Sequence, residues 1–215
     1  FIGVGRMGEN MIYNLLDHGH QVVAYNRSPE PTKKVAMKGA EESYQLEELV
    51  DKLKKPRVIW LMIKSGKPVD KVIKNLAPLV DEGDIIIDGG NSYFEDSERR
   101  FKELKRKKIR FLDCGTSGGM EGALHGACMM IGGEEETFLE VEELFKDMCV
   151  TDGYGYMGKP GAGHYVKMVH NAIEYGMMGA IAEGMNALKT SKFKPDQEKV
   201  IKVYAHGSII ESRLI

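Results

Sequence analysis

The chain has 215 residues, 42% hydrophobic and 29% charged, enough apolar surface for one large globular domain or one domain and part of another, which excludes a disordered chain. Its formal net charge of −2 gives no basic surface for nucleic acid or an anionic membrane, so any polyanionic partner must be small and met locally. Three cysteines, Cys114, Cys128 and Cys149, show no CxxC and no histidine at ligand spacing, which suits a reducing compartment and neither a disulfide framework nor a metal site.

No apolar run approaches the ~20 residues that span a bilayer and no signal peptide is recognisable, so a cytoplasmic location is expected. The chain opens at Phe1-Ile2-Gly3-Val4, inside what reads as a strand, and closes on Ser208-Ile209-Ile210 without a stop signal. Both ends are therefore expected to be trimmed from a longer protein.

In chain order, a strand at 1–4 precedes a helix from Met7 to about His18. A strand at 20–26 and helical stretches through Leu53 follow. Apolar strands at 57–63, 84–88, 109–113 and 127–133 alternate with helical patterns at 69–80, 95–107 and 136–148, and 152–158 reads as one more strand. Strands this uniformly apolar are buried on both faces. They predict an α/β fold across residues 1–160: a Rossmann-type, doubly wound, mostly parallel sheet. The basic run Lys102 to Arg110 reads as a solvated face. At Gly158, Pro160, Gly161 and Gly163 the strand pattern ends. One long helix from about Ala162 to Lys189 and another after Pro195 and Asp196 predict the start of an all-helical domain over residues 161–215.

Four constellations carry chemistry. Gly3-Val4-Gly5-Arg6-Met7-Gly8 is a GxGxxG at the first strand–helix junction, where glycines admit a pyrophosphate to a helix N-terminus. The second strand ends on Asn26-Arg27-Ser28 where an NAD-selective site wants a carboxylate, so a ribose 2′-phosphate is favoured and the expected cofactor is NADP. Three glycine-bearing strand ends, at Leu61–Gly66, Asp88–Ser92 and Cys114–Gly119, should border one crevice and offer Asn91 and Ser117 as hydrogen-bonding groups. The fourth lies on the long helix. Lys167, His170, Asn171, Glu174 and Tyr175 sit at i, i+3, i+4, i+7 and i+8, opposite an apolar side of Val166, Val169, Ala172, Ile173 and Gly176. A desolvated lysine suits a general base, and a glutamate of raised pKa suits an acid. On the residues alone the stripe is either this or a surface of mixed charge.

Taken in order, GVGRMG, NRS, IIIDGGNS, GTSGG, EGA and GAGHYVKMVHNAIEYGMM resemble the 6-phosphogluconate dehydrogenase family, within the β-hydroxyacid dehydrogenases, over essentially the whole chain. The resemblance implies metal-independent oxidative decarboxylation of 6-phosphogluconate to ribulose 5-phosphate by a homodimer using NADP. Lys167 would be the base at the C3 hydroxyl and Glu174 the acid at C1. Substrate would be lined by Asn91, Ser117, Gly118, Gly119, His170, Asn171 and Tyr175, the last toward its phosphate. The cofactor would be held by Gly3, Val4, Gly5, Arg6, Met7, Gly8, Asn26, Arg27, Ser28, Ile63, Lys64, Ser65 and Asn91. On this view the polar stripe faces an interdomain cleft and the opposite side packs the helical domain.

Two departures qualify the resemblance. Glu211 stands where an arginine for the sugar phosphate is expected, with Arg213 two residues on. The compact spacing from Asn171 to Ile210 matches shorter family members, among which NAD use is known, so NAD is the alternative cofactor. Glu211 also keeps open a dehydrogenase of a smaller, unphosphorylated acid such as hydroxyisobutyrate. A nucleotide-binding protein without catalysis is the remaining reading.

Overall fold

Successive apolar residues of the central strands go to opposite sides of the sheet, and both sides are covered. Phe1, Trp60, Ile85, Ile87 and Leu112 join Met11, Ile12 and Leu15 in one buried cluster, while Ile2, Ile59, Leu61, Ile86 and Phe111 join Leu49, Val69, Ile73 and Leu76 in the other. The two-residue repeat of a strand produces this division, and a helix layer on each side makes both clusters dry. This is a computed structural model that describes residues 1–212 and 214. The chain divides into two compact units, Phe1–Met168 and Val169–Ile215.

The first unit is the sheet with its helices. Its strands are β1 (Val23–Tyr25), β2 (Glu41–Ser43), β3 (Val58–Leu61), β4 (Ile85–Asp88), β5 (Arg110–Ser117), β6 (Ala127–Gly133) and β7 (Cys149–Gly158). Ile2 bridges in parallel to both Tyr25 and Leu61, so the opening segment lies between β1 and β3. The order is β2–β1–Ile2–β3–β4–β5–β6–β7, all neighbours parallel except β5 with β6. Strand order thus reverses at Ile2, and in such sheets the ligand crevice opens there, beyond the carboxyl ends of the strands. Helices α1 (Arg6–Asp17), α6 (Gly119–His125), α7 (Glu135–Glu140) and α8 (Glu142–Met148) supply residues of the first cluster or pack among them. Helices α3 (Leu46–Lys52), α4 (Lys67–Leu76) and α5 (Phe94–Lys105) serve the second, and α2 (Pro29–Ala36) follows β1.

The doubly wound, mostly parallel sheet agrees with the sequence pattern. Two elements escaped that pattern. Strand β2 is Glu-Glu-Ser, with no apolar alternation, and is held by parallel pairing to β1 and by Glu41 N–H donating to Val22 O at 2.7 Å. Helix α6 begins at a glycine pair that reads as loop.

Helix α9 (Ala162–Thr190) starts in the first unit and runs unbroken into the second, which also holds α10 (Gln197–Tyr204). Asp196 caps α10, its carboxylate accepting from Glu198 N at 3.0 Å and Lys199 N at 3.3 Å. On the apolar side of α9, Val169 is 40% and Ile173 60% exposed, and Ala172 and Gly176 are exposed too. Ala180, Ile181, Gly184, Met185 and Leu188 of α9 line an apolar groove with Tyr204 and Ile210, and none of them is buried. Among the described residues no helix is long and apolar enough to cross a membrane.

The start of α9 is pressed onto the sheet through glycines. A Cβ on Gly163 would run into the Met130 carbonyl and stand 2.6 Å from Asp113 O, whereas a Cβ on Gly184 of the same helix meets nothing within 4 Å. Gly163→Ala is therefore expected to destabilise by roughly 1–3 kcal/mol or more, from overpacking against backbone that has no rotamer to yield. Gly184→Ala should be neutral or stabilising by up to about 1 kcal/mol, from helix propensity. Urea denaturation of the two variants beside the parent checks the pair.

Candidate active site

The glycine loop is shaped by what each glycine would strike. Gly3 has φ +103°, and a Cβ there would run into the Met62 carbonyl and lie 2.6 Å from Ile63 Cγ2. A Cβ on Gly8 would run into the Gly3 carbonyl, so that glycine lets α1 sit close on the opening strand. Gly5 differs: it is the extended residue ahead of α1 (φ −85°, ψ −173°), it is exposed, and a Cβ on it meets nothing within 4 Å. That space lies in front of a helix N-terminus with no side-chain cap, where free N–H groups and the helix dipole favour an anion. The cradle fits the pyrophosphate of a dinucleotide. Val4 is buried, Met7 half-buried and Arg6 exposed beside it.

Asn26 does more than the sequence suggests. Its Oδ1 accepts from the Val4 N–H at 3.1 Å, and its Nδ2 donates to Ser28 O at 3.2 Å and Ser28 Oγ at 3.0 Å. It braces the glycine loop and shapes the turn after β1. Arg27 and Ser28 are exposed on that turn, and a guanidinium is suited to a ribose phosphate.

The loops after β3 and β4 are tied by a buried guanidinium that sequence reasoning passed over. Arg100, 1% exposed, donates to Asp88 Oδ2 at 3.1 Å, Ser92 Oγ at 3.2 Å, Asp70 Oδ1 at 2.8 Å and Gly66 O at 3.2 Å. Asp88, fully buried, also accepts from Gly90 N at 3.2 Å and Ser92 Oγ at 2.7 Å. Removing one member of such a buried pair costs about 3–5 kcal/mol. The signal available in sequence was position: Ser97, Arg100 and Leu104 mark the inward face of α5, where an arginine needs a partner. Between the two loops, Ile63 is half-buried and Lys64, Ser65 and Asn91 are exposed. A Cβ on Gly90 would stand 2.9 Å from Ile63 O, which brings the Ile63 and Asn91 loops together beside the glycine motif.

Asp113 and His164 were likewise missed. On β5, the fully buried Asp113 carboxylate accepts the N–H of Gly161 at 2.7 Å and of His164 at 2.9 Å, and so fixes the first turn of α9. Burial raises its pKa; the His164 charge and the two N–H groups oppose that shift. The His164 ring, 1% exposed, meets Gly90 O at 3.0 Å through Nε2 and Ser97 Oγ at 2.7 Å through Nδ1. One turn on, Lys167 is 7% exposed, its Cβ packed where a side chain on Gly115 would otherwise go. Cys114, adjacent on β5, is buried, and burial pushes its thiol well up.

Ser117 is half-buried at the end of β5, and Gly118 and Gly119, both at positive φ, are exposed where α6 begins. In the second unit His170 Nδ1 lies 3.2 Å from Asn171 Oδ1 and 3.7 Å from Glu174 Oε2, a half-exposed cluster, and Tyr175 is 71% exposed. Glu211 turns back on its own chain, accepting from Gly207 N at 2.7 Å, and Arg213 lies outside the described residues. Among the described residues no group of His, Cys, Asp and Glu is placed to hold a metal ion.

Gly5→Ala separates cradle from fold. Its added methyl occupies open space at an ordinary φ, so thermal stability should stay within about 0.5 kcal/mol. Dinucleotide affinity should fall at least about tenfold, because the methyl takes the space of the phosphate. Calorimetric titration with NADP and a melting curve on the same sample test both halves.

Comparison with known proteins agrees with this geometry. A family model described as the NAD binding domain of 6-phosphogluconate dehydrogenase matches residues 1–158, and one described as the C-terminal domain of 6-phosphogluconate dehydrogenase matches 163–215. The chain is 42% identical, over its whole length and 71% of the relative's, to the NAD(+)-dependent, decarboxylating 6-phosphogluconate dehydrogenase of Haloferax volcanii. It is 44% identical to the decarboxylating enzyme of Candida albicans, of which it spans 43%. Among solved structures, the Plasmodium falciparum 6-phosphogluconate dehydrogenase, determined without ligand, with NADP+ and with 6-phosphogluconate, superimposes with a TM-score of 0.90 at 36% identity, over 98% of this chain and 48% of that one. The chain thus spans under half of the longer relatives and about seven tenths of the shorter one. It belongs to the 6-phosphogluconate dehydrogenase family.

Proposed function

We propose that the protein carries out oxidative decarboxylation of 6-phosphogluconate to ribulose 5-phosphate and CO₂, with NADP as dinucleotide and NAD as the alternative. The observation that carries the reading is Lys167: a lysine 7% exposed, the base of its side chain packed on Gly115, one turn from the His164–Gly90 contact that reaches the Asn91 loop. A Cβ on Gly115 would run into Lys167 Cβ and stand 2.9 Å from Gly163 O, so glycine there admits both that side chain and the backbone of α9.

When bound, the dinucleotide accepts the hydride that leaves C3 of the sugar acid. Gly3 to Gly8 would hold its pyrophosphate, and Asn26 to Ser28, Ile63 to Ser65 and Asn91 the remainder. Lys167 takes the C3 hydroxyl proton; as an ammonium it then donates to the C3 keto oxygen and draws charge onto it while the C1–C2 bond breaks and CO₂ departs. The resulting enediol needs a proton at the former C2, which becomes C1 of ribulose 5-phosphate. Glu174, seven residues along the same helix and about 10 Å along its axis, supplies it. His170 and Asn171 flank Glu174, and with Ser117, Gly118, Gly119 and Tyr175 they are the proposed substrate contacts.

Cofactor choice rests on opposing observations. Asn26 and the exposed Arg27 leave no carboxylate for a 2′-hydroxyl, which supports NADP. A relative matched over 71% of its own length is named as NAD(+)-dependent, which supports NAD. Family membership supports a homodimer built on a helical domain beginning near residue 161.

Turnover of purified protein with 6-phosphogluconate, followed by dinucleotide reduction and by CO₂ release in NADP and in NAD, tests the reading. One CO₂ per reduced dinucleotide is expected; reduction without CO₂ overturns it. Lys167→Met and Glu174→Gln should each lower kcat by about 10²- to 10⁴-fold while the dinucleotide Kd stays within about threefold.

A further inference from the structure

We infer that His164 is a positioning residue: its ring is a strut that fixes the Gly90–Asn91 loop relative to Lys167. The inference rests on the reading of Lys167 and Asn91 above, but the contacts that make the strut are independent of it.

Gly90 has no side chain with which to hold itself, and its two peptide groups are gripped from different elements. Its N–H donates to Asp88 Oδ1 at 3.2 Å, from β4, and its carbonyl meets His164 Nε2 at 3.0 Å, from α9. A carbonyl only accepts, so Nε2 carries a proton, and Nδ1 is held by the Ser97 hydroxyl at 2.7 Å, a group that can donate or accept, with Asp113 Oδ2 at 4.0 Å. The N–H of the same residue donates to Asp113 Oδ2 at 2.9 Å. One residue therefore joins β5, α5, α9 and the loop after β4, and it sits three positions before Lys167 on the helix.

Filling space does not account for this. An apolar side chain would fill a site that is 1% exposed without the need to satisfy two ring nitrogens, and burying an imidazole is costly unless both are bonded. What histidine adds is a rigid donor at a set reach from α9 to the backbone next to Asn91. The buried ring does not itself touch substrate.

Glutamine places its amide nitrogen about as far out as Nε2, whereas asparagine reaches only as far as Nδ1, so the pair His164→Gln and His164→Asn asks whether the donor to Gly90 matters. Trp60 is the single tryptophan, and a Cβ on Gly89 would run into its indole, so its emission reports this loop without any turnover. His164→Gln is expected to keep Trp60 emission, the NADP Kd and kcat within about threefold of the parent. His164→Asn is expected to shift the emission, raise the NADP Kd, and lower kcat about 10- to 100-fold with the KM for 6-phosphogluconate little changed, since misplacing reacting groups by an ångström costs on this scale. If His164→Asn does not fold, Ser97→Ala, which loosens the ring, should raise the NADP Kd about three- to tenfold; an unchanged Kd overturns the strut. A folded His164→Asn that differs from the parent only in melting temperature, or a folded His164→Gln that loses as much as His164→Asn, overturns it too. Absence of turnover in the parent would defeat the functional reading alone, because emission and Kd still decide the role of His164.

Discussion

The site depends on how the first turn of α9 is held against the sheet. Two N–H groups at the start of a helix need acceptors, and here one buried carboxylate, Asp113, accepts from both Gly161 and His164. A charged acceptor at a helix N-terminus also meets the positive end of the helix dipole. Because Gly163 and Gly132 carry no side chains, the helix approaches β5 and β6 closely enough for those bonds to form. Everything proposed for Lys167 follows: the helix emerges at one place and in one rotational setting, with the base of that side chain against Gly115.

A second set of contacts carries the same rigidity to the dinucleotide side. Arg100 ties the loop after β3 to the loop after β4, Asn26 ties the glycine motif to the end of β1, and His164 ties the loop after β4 to α9. These loops are made largely of glycine and small polar residues, which on their own would be mobile. Their order comes from side chains that lie behind them, in the core. The molecule thus separates the groups that face a ligand, such as Gly5, Arg27 and Asn91, from those that fix the first group in place.

That separation decides what could be read from the sequence. The glycine motif, Asn26-Arg27-Ser28, Asp88 to Ser92 and the stripe from Lys167 to Tyr175 are each contiguous or fall at helical spacing, so local pattern exposes them. The supporting side chains are not local: Asp113 bonds across 48 and 51 residues, His164 across 67 and 74, and Arg100 across 34 to Gly66. Nothing in one chain's pattern pairs residues at those distances. Strand β2 was hidden for a different reason, since Glu41 and Glu42 are exposed edge residues whose pairing is through backbone alone. Val169 and Ile173 show a further limit, because amphipathic spacing identifies an apolar side without saying what covers it.

The central claim is one of reach: that the amine of Lys167 serves a sugar acid lying against the dinucleotide held by the glycine loop. The most direct measurement is a crystal structure of the protein with 6-phosphogluconate and a reduced dinucleotide bound together. The account predicts Lys167 Nζ within about 3.2 Å of the C3 oxygen, with the pyrophosphate in front of Gly5. A sugar acid bound with C3 out of reach of that amine, or a dinucleotide seated elsewhere than the amino end of α1, would contradict it.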